Sequence, residues 1–145
     1  MPRRMRVLLV EDNPGDVDLI RDSLEAVAAN LDITVIGDGA EALEYLSQRA
    51  EASGGSSCPL PDLVLLDLNL PKMSGHDVLC EARKTTDLRS LPIVVVTSSD
   101  AARDIATSYA LGANSYVTKP GELAAFQRTV KALGNFWCNI ARLPS

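Results

Sequence analysis

Residue types that mark several common functional classes are scarce in this 145-residue chain. It has one histidine and three cysteines, which are widely spaced and form no Cys-x-x-Cys pair. Protein zinc sites need clustered Cys and His, and disulfide frameworks need an even and dense set of cysteines, so the sequence predicts neither. A sparse, odd set of cysteines is typical of a reducing compartment, and we expect a cytoplasmic protein.

Excess positive charge and long apolar runs are also absent. The formal net charge is -5, whereas a surface that binds nucleic acid needs clustered Lys and Arg. No apolar run reaches the roughly 20 residues of a membrane-spanning helix. The apolar run near the amino terminus is too short for the core of a signal peptide. The sequence therefore predicts neither a nucleic-acid partner nor a membrane contact.

The chain does have a regular alternation of element types. Short β-branched and leucine-rich runs alternate with segments of helical period, which is typical of βαβ units around a parallel sheet buried on both faces. The predicted strands are residues 6–10, 33–36, 63–66, 93–96 and 115–117. The predicted helices are residues 16–29, 39–50, 75–85, 100–111 and a fifth that begins at 122. We expect one domain over 1–145, with a flexible surface loop at 50–61 where Gly, Ser and Pro cluster.

Polar side chains stand where most of these strands end. Glu11 and Asp12 follow the first strand, Asp67 the third, Thr97 the fourth and Lys119 the fifth. The carboxyl ends of parallel strands meet at one edge of the sheet, so these groups should converge. Carboxylates in such a cluster repel one another unless a cation neutralises them, and oxygen ligands suit Mg²⁺. The pattern therefore favours a Mg²⁺ site used in phosphoryl chemistry.

Four segments at these strand ends carry a family resemblance. They are Val-Glu-Asp-Asn-Pro-Gly-Asp at 10–16, Leu-Leu-Asp-Leu-Asn-Leu-Pro at 65–71, Val-Thr-Ser at 96–98 and Tyr-Val-Thr-Lys-Pro at 116–120. Together they resemble the CheY-like receiver domain of two-component response regulators, which has an α/β, flavodoxin-like (βα)5 fold with a doubly wound sheet of five parallel strands. Details of the first two segments, and Asn-Phe-Trp near the end, resemble stand-alone single-domain regulators paired with bacterial and cyanobacterial phytochromes.

The resemblance implies a role for each acidic residue. Asp67 would accept a phosphoryl group from a sensor histidine kinase, in this case a phytochrome. Mg²⁺, or Mn²⁺, would be bound by Asp12, by Asp67 and by the main-chain carbonyl of Asn69, with Glu11 acting through water. The protein would be a signalling protein rather than an enzyme, because it would catalyse only its own phosphoryl transfer and the hydrolysis of its acyl phosphate.

Other residues would hold the phosphoryl group and report it. By resemblance, Lys119 pairs with one phosphoryl oxygen and Thr97 donates its hydroxyl to another. Tyr116 is the expected switch, turning inward as Thr97 moves and altering the face made by helix four, strand five and helix five. A downstream protein that the sequence does not identify would bind this face. Gly121 departs from the family pattern, in which a larger apolar residue is more usual.

Alternative interpretations remain for the chain and for single residues. A phosphatase of the haloacid dehalogenase type needs a second Asp where Asn69 stands, and nucleotide-binding motifs of the GxxxxGK and GxGxxG kinds are absent. A receiver-like scaffold that is never phosphorylated would not need the intact acidic set. Tyr116 could instead be a packing residue, and His76 is interpreted as a solvated residue early in the third helix.

The carboxyl-terminal segment has its own pattern. Apolar residues recur from 123 to 140 at alternating spacings of three and four, and a helix over 122–142 would span about 30 Å. The last turns of the extension 134–145 would then either overhang the domain or fold back, and a break of the helix at Gly134 would let Trp137 tuck back. Because half of the six aromatic residues lie here, we predict a homodimer through helix four, strand five and this helix. The predicted interface residues are Phe126, Val130, Leu133, Phe136, Trp137 and Ile140. The alternative is that the stripe packs on the sheet, and for Phe126 and Val130 this alternative is favoured.

Overall fold

The computed structural model of the chain describes residues 4–51 and 59–144. Five parallel strands form one sheet in the order β2-β1-β3-β4-β5. The strands are β1 (Met5–Val10), β2 (Leu31–Ile36), β3 (Leu63–Leu66), β4 (Ile93–Thr97) and β5 (Ser115–Thr118). The helices are α1 (Pro14–Val27), α2 (Gly39–Glu51), α3 (Gly75–Lys84), α4 (Ala102–Ala110) and α5 (Leu123–Asn135). The predicted doubly wound α/β fold is confirmed.

Both faces of the sheet are covered by helices. Strand residues alternate between the faces, so that Leu8 and Val95 belong to one apolar core with residues of α2 and α3. Leu9 and Val94 belong to the other core, with residues of α1 and α5. Every residue of β3 and β4 is buried, which explains why these segments are continuous apolar runs. Polar side chains of the sheet can therefore gather only where the strands end.

Two helix starts fix the geometry of that edge. Asn13 caps α1 by accepting the main-chain N–H of Asp16 at 3.0 Å, and Pro14 occupies the first turn. The helix therefore begins directly after the first acidic pair, two residues earlier than predicted. Gly75 begins α3 against the main-chain carbonyl of Asp67, where a Cβ would overlap that oxygen. The absent side chain lets α3 pack directly on the turn that follows β3.

The predicted loop at 50–61 is only partly covered by the described residues. Residues 52–58, which include Cys58, lie outside them. Residues 50 and 51 belong to α2, so the helix extends into the start of the predicted loop. No helix within 4–51 and 59–144 combines the length and the apolar character needed to cross a membrane.

The carboxyl-terminal segment neither overhangs the domain nor breaks at Gly134. Helix α5 continues as a π-helical turn, Phe136–Ile140, closed by the Ala141 N–H, which donates to the Phe136 carbonyl at 2.7 Å. Gly134 is buried against α1, where a Cβ would lie 2.8 Å from a methyl carbon of Leu24. The Asn139 amide then donates to the last carbonyl of α1 at 2.9 Å. The extension is thus fastened to the end of α1, so that of the two alternatives the structure has the tail packed on the domain, without a break at Gly134.

Burial also corrects the predicted dimer interface. Phe126, Val130 and Leu133 lie in the core on the inner side of α5, so these three side chains are not available on a free surface. Phe136 and Ile140 are 49% and 60% exposed, whereas Trp137 is half-buried against the same core. The middle of the apolar stripe therefore stabilises the domain itself, and the predicted interface residues that remain exposed are Phe136 and Ile140 of the π-helical turn.

Candidate functional site

The acidic residues meet where the strand order reverses. In the order β2-β1-β3-β4-β5 the reversal lies between β1 and β3, and parallel α/β sheets bind ligands in the crevice at this point. Glu11 and Asp12 follow β1 and Asp67 follows β3, and each offers a carboxylate oxygen within 4.8 Å of the others. The structure thus brings together the three carboxylates that the sequence places at strand ends.

Lys119 supplies positive charge to this cluster. Its Nζ lies 2.6 Å from Glu11 Oε1, 2.9 Å from Asp16 Oδ2 and 3.2 Å from Asp67 Oδ2, and its side chain is 7% exposed. Burial alone would lower the pKa of Lys119, but hydrogen bonds to Glu11 and Asp16 and the charge of Asp67 raise it overall. The ammonium stays charged, and it is still outnumbered by the carboxylates around it.

Glu11 is the most deeply buried acid of the cluster, with 2% exposure. The pKa of Glu11 is raised to about 7: burial is the largest cause and the charge of Asp67 adds to it, whereas the hydrogen bond from Lys119 opposes the rise. The second Glu11 oxygen accepts the Asn13 N–H at 3.2 Å. A carboxylate with so high a pKa lacks compensating charge, and its oxygen-rich surroundings fit an added hard cation.

Asp67 is also buried, at 6% exposure, but its oxygens are held loosely. One oxygen accepts the Asn69 N–H at 3.3 Å and the other accepts Lys119 at 3.2 Å. Both contacts exceed the roughly 2.7–2.9 Å of a strong hydrogen bond to a carboxylate. The carboxylate is therefore poorly solvated and retains free lone pairs, as a nucleophile requires.

Thr97 carries an unpaired donor at the end of β4. Its Oγ1 is buried, and within residues 4–51 and 59–144 it is the one buried side-chain N or O atom without a hydrogen bond. A buried hydroxyl without a partner costs about 1–3 kcal/mol, so such an atom indicates a site for an acceptor from outside the chain. A ligand with several acceptor oxygens fits this donor and Lys119 together.

Tyr116 lies on the neighbouring strand β5 and is half-buried. Its hydroxyl donates to the main-chain carbonyl of Ser99 at 2.7 Å, and its own N–H donates to the Tyr109 hydroxyl at 3.1 Å. Burial raises the pKa of the Tyr116 phenol. The ring also packs against the core shared with α3, so Tyr116 already lies inward without a phosphoryl group, as the packing role requires. The switch role, in which the ring turns inward as Thr97 moves, stays a prediction.

Sequence reasoning missed one residue of the site and misplaced another. Asp16 received no role, yet it shares the ammonium of Lys119; its position in the first helical turn after the Asn13 cap is the signal that could have found it. His76 was interpreted as solvated, but it is half-buried, with Nε2 2.9 Å from the Ser108 hydroxyl. That contact joins α3 to α4.

Beside Lys119 the surface opens into a crevice of about 670 Å³ between the start of α1 and the start of α5. Gly121 lies at its rim, where an added Cβ would meet nothing within 4 Å. The departure from the usual apolar residue is therefore not forced by close packing at this position. Its lining includes Asp16, Leu19, Ser98, Leu123 and Phe126.

Comparison with known proteins identifies the family. Residues 7–131 match the family described as the response regulator receiver domain. The chain belongs to this family. The receiver domain is 36% identical over 139 residues to the response regulator Rcp1 of Synechocystis sp., which covers 96% of this chain and 92% of that protein. It is 39% identical over 138 residues to FilR2 of Methanothrix harundinacea, a probable methanogenesis regulatory protein, covering 95% and 86%.

Solved structures agree with this assignment. The phosphorylated cyanobacterial phytochrome response regulator RcpA superposes with a TM-score of 0.88 at 39% identity, covering 98% of this chain and 99% of that one. The Mn²⁺-bound form of Rcp1 gives a TM-score of 0.88 at 35% identity, covering 97% and 99%. The resemblance to phytochrome-associated regulators is thus confirmed.

Membership of the family establishes the general role of the chain. It is the receiver domain of a two-component response regulator, a signalling protein whose class of partner is the histidine kinase. Its cluster of Glu11, Asp12 and Asp67 is consistent with the acidic pocket in which receiver domains bind Mg²⁺ or Mn²⁺.

Proposed function

We propose that this receiver domain accepts a phosphoryl group on Asp67 from the phosphohistidine of a sensor histidine kinase. The observation that carries the proposal is a buried, loosely held carboxylate beside the Lys119 ammonium and near a strand end with an unpaired donor, Thr97. In the transfer, an Asp67 oxygen forms a bond to phosphorus while the bond from phosphorus to the kinase imidazole nitrogen breaks. The imidazole keeps the electron pair, and the product is an acyl phosphate.

The geometry favours Asp67 over its acidic neighbours as the acceptor. Both oxygens of Glu11 are engaged, by Lys119 at 2.6 Å and by a main-chain N–H at 3.2 Å. Asp12 is exposed, so water competes for its lone pairs. Asp67 alone combines burial with weak contacts to both oxygens.

We assign the cation to Asp12, Asp67 and the main-chain carbonyl of Asn69, with Glu11 acting through water. A bound Mg²⁺ supplies positive charge that orients the phosphoryl oxygens and offsets their charge. The deficit of positive charge around Lys119 and the Mn²⁺ in the Rcp1 structure support this assignment. Removal of divalent ions with EDTA should therefore abolish phosphorylation, and added Mg²⁺ should restore it.

The remaining polar groups would hold the phosphoryl group and pass on the change. Lys119 can exchange its 3.2 Å contact with Asp67 for a phosphoryl oxygen, and the Thr97 hydroxyl gains the acceptor it lacks. A movement of Thr97 on β4 would change the packing around Tyr116 on the adjacent strand β5. The altered face of α4, β5 and α5 is the surface that we propose a downstream protein recognises.

Labelling with acetyl phosphate tests this function without a kinase. With Mg²⁺ present, the intact mass of the wild type should increase by one phosphoryl group, and Asp67→Asn should stay unlabelled. Asp38→Asn is the matched control: Asp38 also follows a strand at this edge, but it caps α2 at 2.8 Å and pairs with Lys72 at 3.5 Å. An unlabelled wild type, or equal labelling of Asp67→Asn, would overturn the proposal.

We further propose that the kinase is a phytochrome and that both proteins lie in the cytoplasm. The similarity to RcpA and Rcp1 supports a phytochrome, although FilR2, of comparable identity, is named for another process. The open crevice beside Lys119 gives a kinase access to the site. Phosphotransfer from a radiolabelled phytochrome kinase should outpace transfer from an unrelated histidine kinase at equal concentration. Equal rates would count against this pairing.

A homodimer through α4, β5 and the end of α5 is the last part of the proposal. Phe136 packs edge to face on Trp137 at 5.4 Å, and Phe136 and Ile140 offer exposed apolar surface, which suits an interface anchor. Sedimentation should show a dimeric wild type and a monomeric Ile140→Glu. Ala40→Glu, at an exposed position of α2, should remain dimeric. A monomeric wild type refutes the dimer.

A further inference from the structure

We propose that Asp104 is a positioning residue for Tyr116 and that it acts through Ser99. The inference rests on the proposed function, in which Tyr116 passes on the change at Thr97, and it concerns the chain before phosphorylation, in which the Tyr116 hydroxyl already contacts the Ser99 carbonyl. Asp104 would hold the loop between β4 and α4 in the form that accepts the tyrosine hydroxyl. The receiver domain would then rest with its tyrosine already engaged.

Tyr116 contacts the loop between β4 and α4. Its hydroxyl donates to the Ser99 carbonyl at 2.7 Å, and the Thr118 hydroxyl makes a longer contact of 3.5 Å with the same oxygen. The position of this single carbonyl therefore decides whether the tyrosine has an inward partner. Whatever orients Ser99 also orients Tyr116.

The side chain of Ser99 connects this loop to α4. Its hydroxyl donates to Asp104 Oδ2 at 2.6 Å and accepts the Ala101 N–H at 3.3 Å. A hydrogen bond to a carboxylate of this length belongs to the strong class. Ala101, the residue that caps α4, forms no side-chain capping bond. The carboxylate of Asp104 is therefore the main polar contact that orders this loop on α4.

The main chain of Asp104 is in turn held by Ser108. Of the nine residues of α4, all of them described, only Ser108 is buried. Its hydroxyl donates to the Asp104 carbonyl at 2.8 Å and lies 2.9 Å from Nε2 of His76 on α3. Because Ser108 donates to Asp104, the His76 nitrogen must be the donor in the second contact. Ser108 thus holds the main chain of Asp104 near α3, while the carboxylate of Asp104 holds Ser99, whose carbonyl accepts Tyr116.

A simpler role for Asp104 is to place negative charge at the amino end of α4, where the helix dipole favours it. Asp100 separates the two interpretations. It lies two residues before α4, is exposed, and makes no hydrogen bond with the described part of the chain. Burial is the main cause of the raised pKa of Tyr116, and the charges of Asp104 and Asp100 both add to it. Removal of either charge therefore acts on Tyr116 in the same direction, whereas only Asp104 bonds to Ser99.

The test follows the Tyr116 ring by NMR in unphosphorylated, metal-free protein with ¹³C-labelled tyrosine. The chain has three tyrosines, and Tyr116→Phe assigns the resonance. Asp104→Ala should lower the ratio of inward to outward ring positions by about tenfold, which moves the resonance. Ser99→Ala should move it in the same direction, and the double variant should move it no further. Asp100→Ala should leave it in place.

The inference is overturned if the Tyr116 resonance stays at its wild-type position in Asp104→Ala and Ser99→Ala, or if Asp100→Ala moves it equally. The Tyr45 resonance, from α2, checks that each variant is folded. Should Asp104→Ala fail to fold, Ser99→Ala measures the same link alone. Failure of acetyl phosphate to label Asp67 would instead refute the proposed function, because this readout needs no phosphoryl group.

Discussion

Binding of Mg²⁺ to this receiver domain should depend on pH because of Glu11. In the metal-free chain, burial raises the pKa of Glu11 to about 7, so a proton and the cation compete for the pocket near neutrality. The cation is favoured by the charged carboxylate, so its affinity is full above that pKa and falls as the pH drops through it. For one competing proton, affinity at about pH 6 should be about tenfold weaker than at about pH 8, or about 1.4 kcal/mol.

Calorimetric titration with Mg²⁺ at both pH values measures this directly. In Glu11→Gln the side chain cannot titrate, so the variant should lose most of the tenfold change. Asp38→Asn, whose carboxylate caps α2 outside the pocket, should keep it. Equal wild-type affinities at the two pH values, or a tenfold change that persists in Glu11→Gln, would refute the role given to Glu11.

Three further predictions concern stability and can be measured by urea unfolding. Thr97→Val removes the unpaired hydroxyl and should raise the free energy of unfolding by about 1 kcal/mol while slowing acetyl phosphate labelling; a less stable variant contradicts this reading. Gly134→Ala places a Cβ within 2.8 Å of a Leu24 methyl and should lower the free energy of unfolding by about 1–3 kcal/mol. Gly121→Ala, whose Cβ would lie in open space, should leave it nearly unchanged, and equal effects of the two substitutions would contradict the close packing. Arg83 donates to three main-chain carbonyls, so Arg83→Ala should cost about 2–4 kcal/mol, and a neutral result would show that water replaces these bonds.

The strand ends were predictable from the sequence for a physical reason. Because β3 and β4 are buried on both faces, their residues must be apolar, and Asp67 and Thr97 stand out where those runs stop. The convergence of these groups with Lys119 follows from the parallel arrangement of the strands. Chain order and apolar patterning were sufficient for this part of the site.

Contacts that depend on how helices pack were not predictable. The bond from Lys119 to Asp16 requires α1 to begin at Pro14, and the burial of His76 requires Ser108 of α4 to face α3. Neither arrangement leaves a signal in local spacing. Such contacts are set by side-chain fit between distant segments.

The packing of the carboxyl-terminal segment was likewise not predictable from spacing. Its apolar stripe correctly predicted a helix, but spacing alone could not tell whether Phe126 and Val130 face the core or a partner. The close approach of Gly134 to Leu24 lets α5 pack directly on α1, so that Phe126 and Val130 face the core. A glycine in a helix was interpreted as a possible break, whereas its lack of a side chain serves packing.

The identity of the phosphorylated residue is the most direct test of the account. After labelling with acetyl phosphate and Mg²⁺, peptide mapping by tandem mass spectrometry should locate the phosphoryl group on Asp67, and hydroxylamine should remove it as expected for an acyl phosphate. A phosphoryl group found on Glu11, Asp12, Asp16 or His76, or one that resists hydroxylamine, would contradict the central claim.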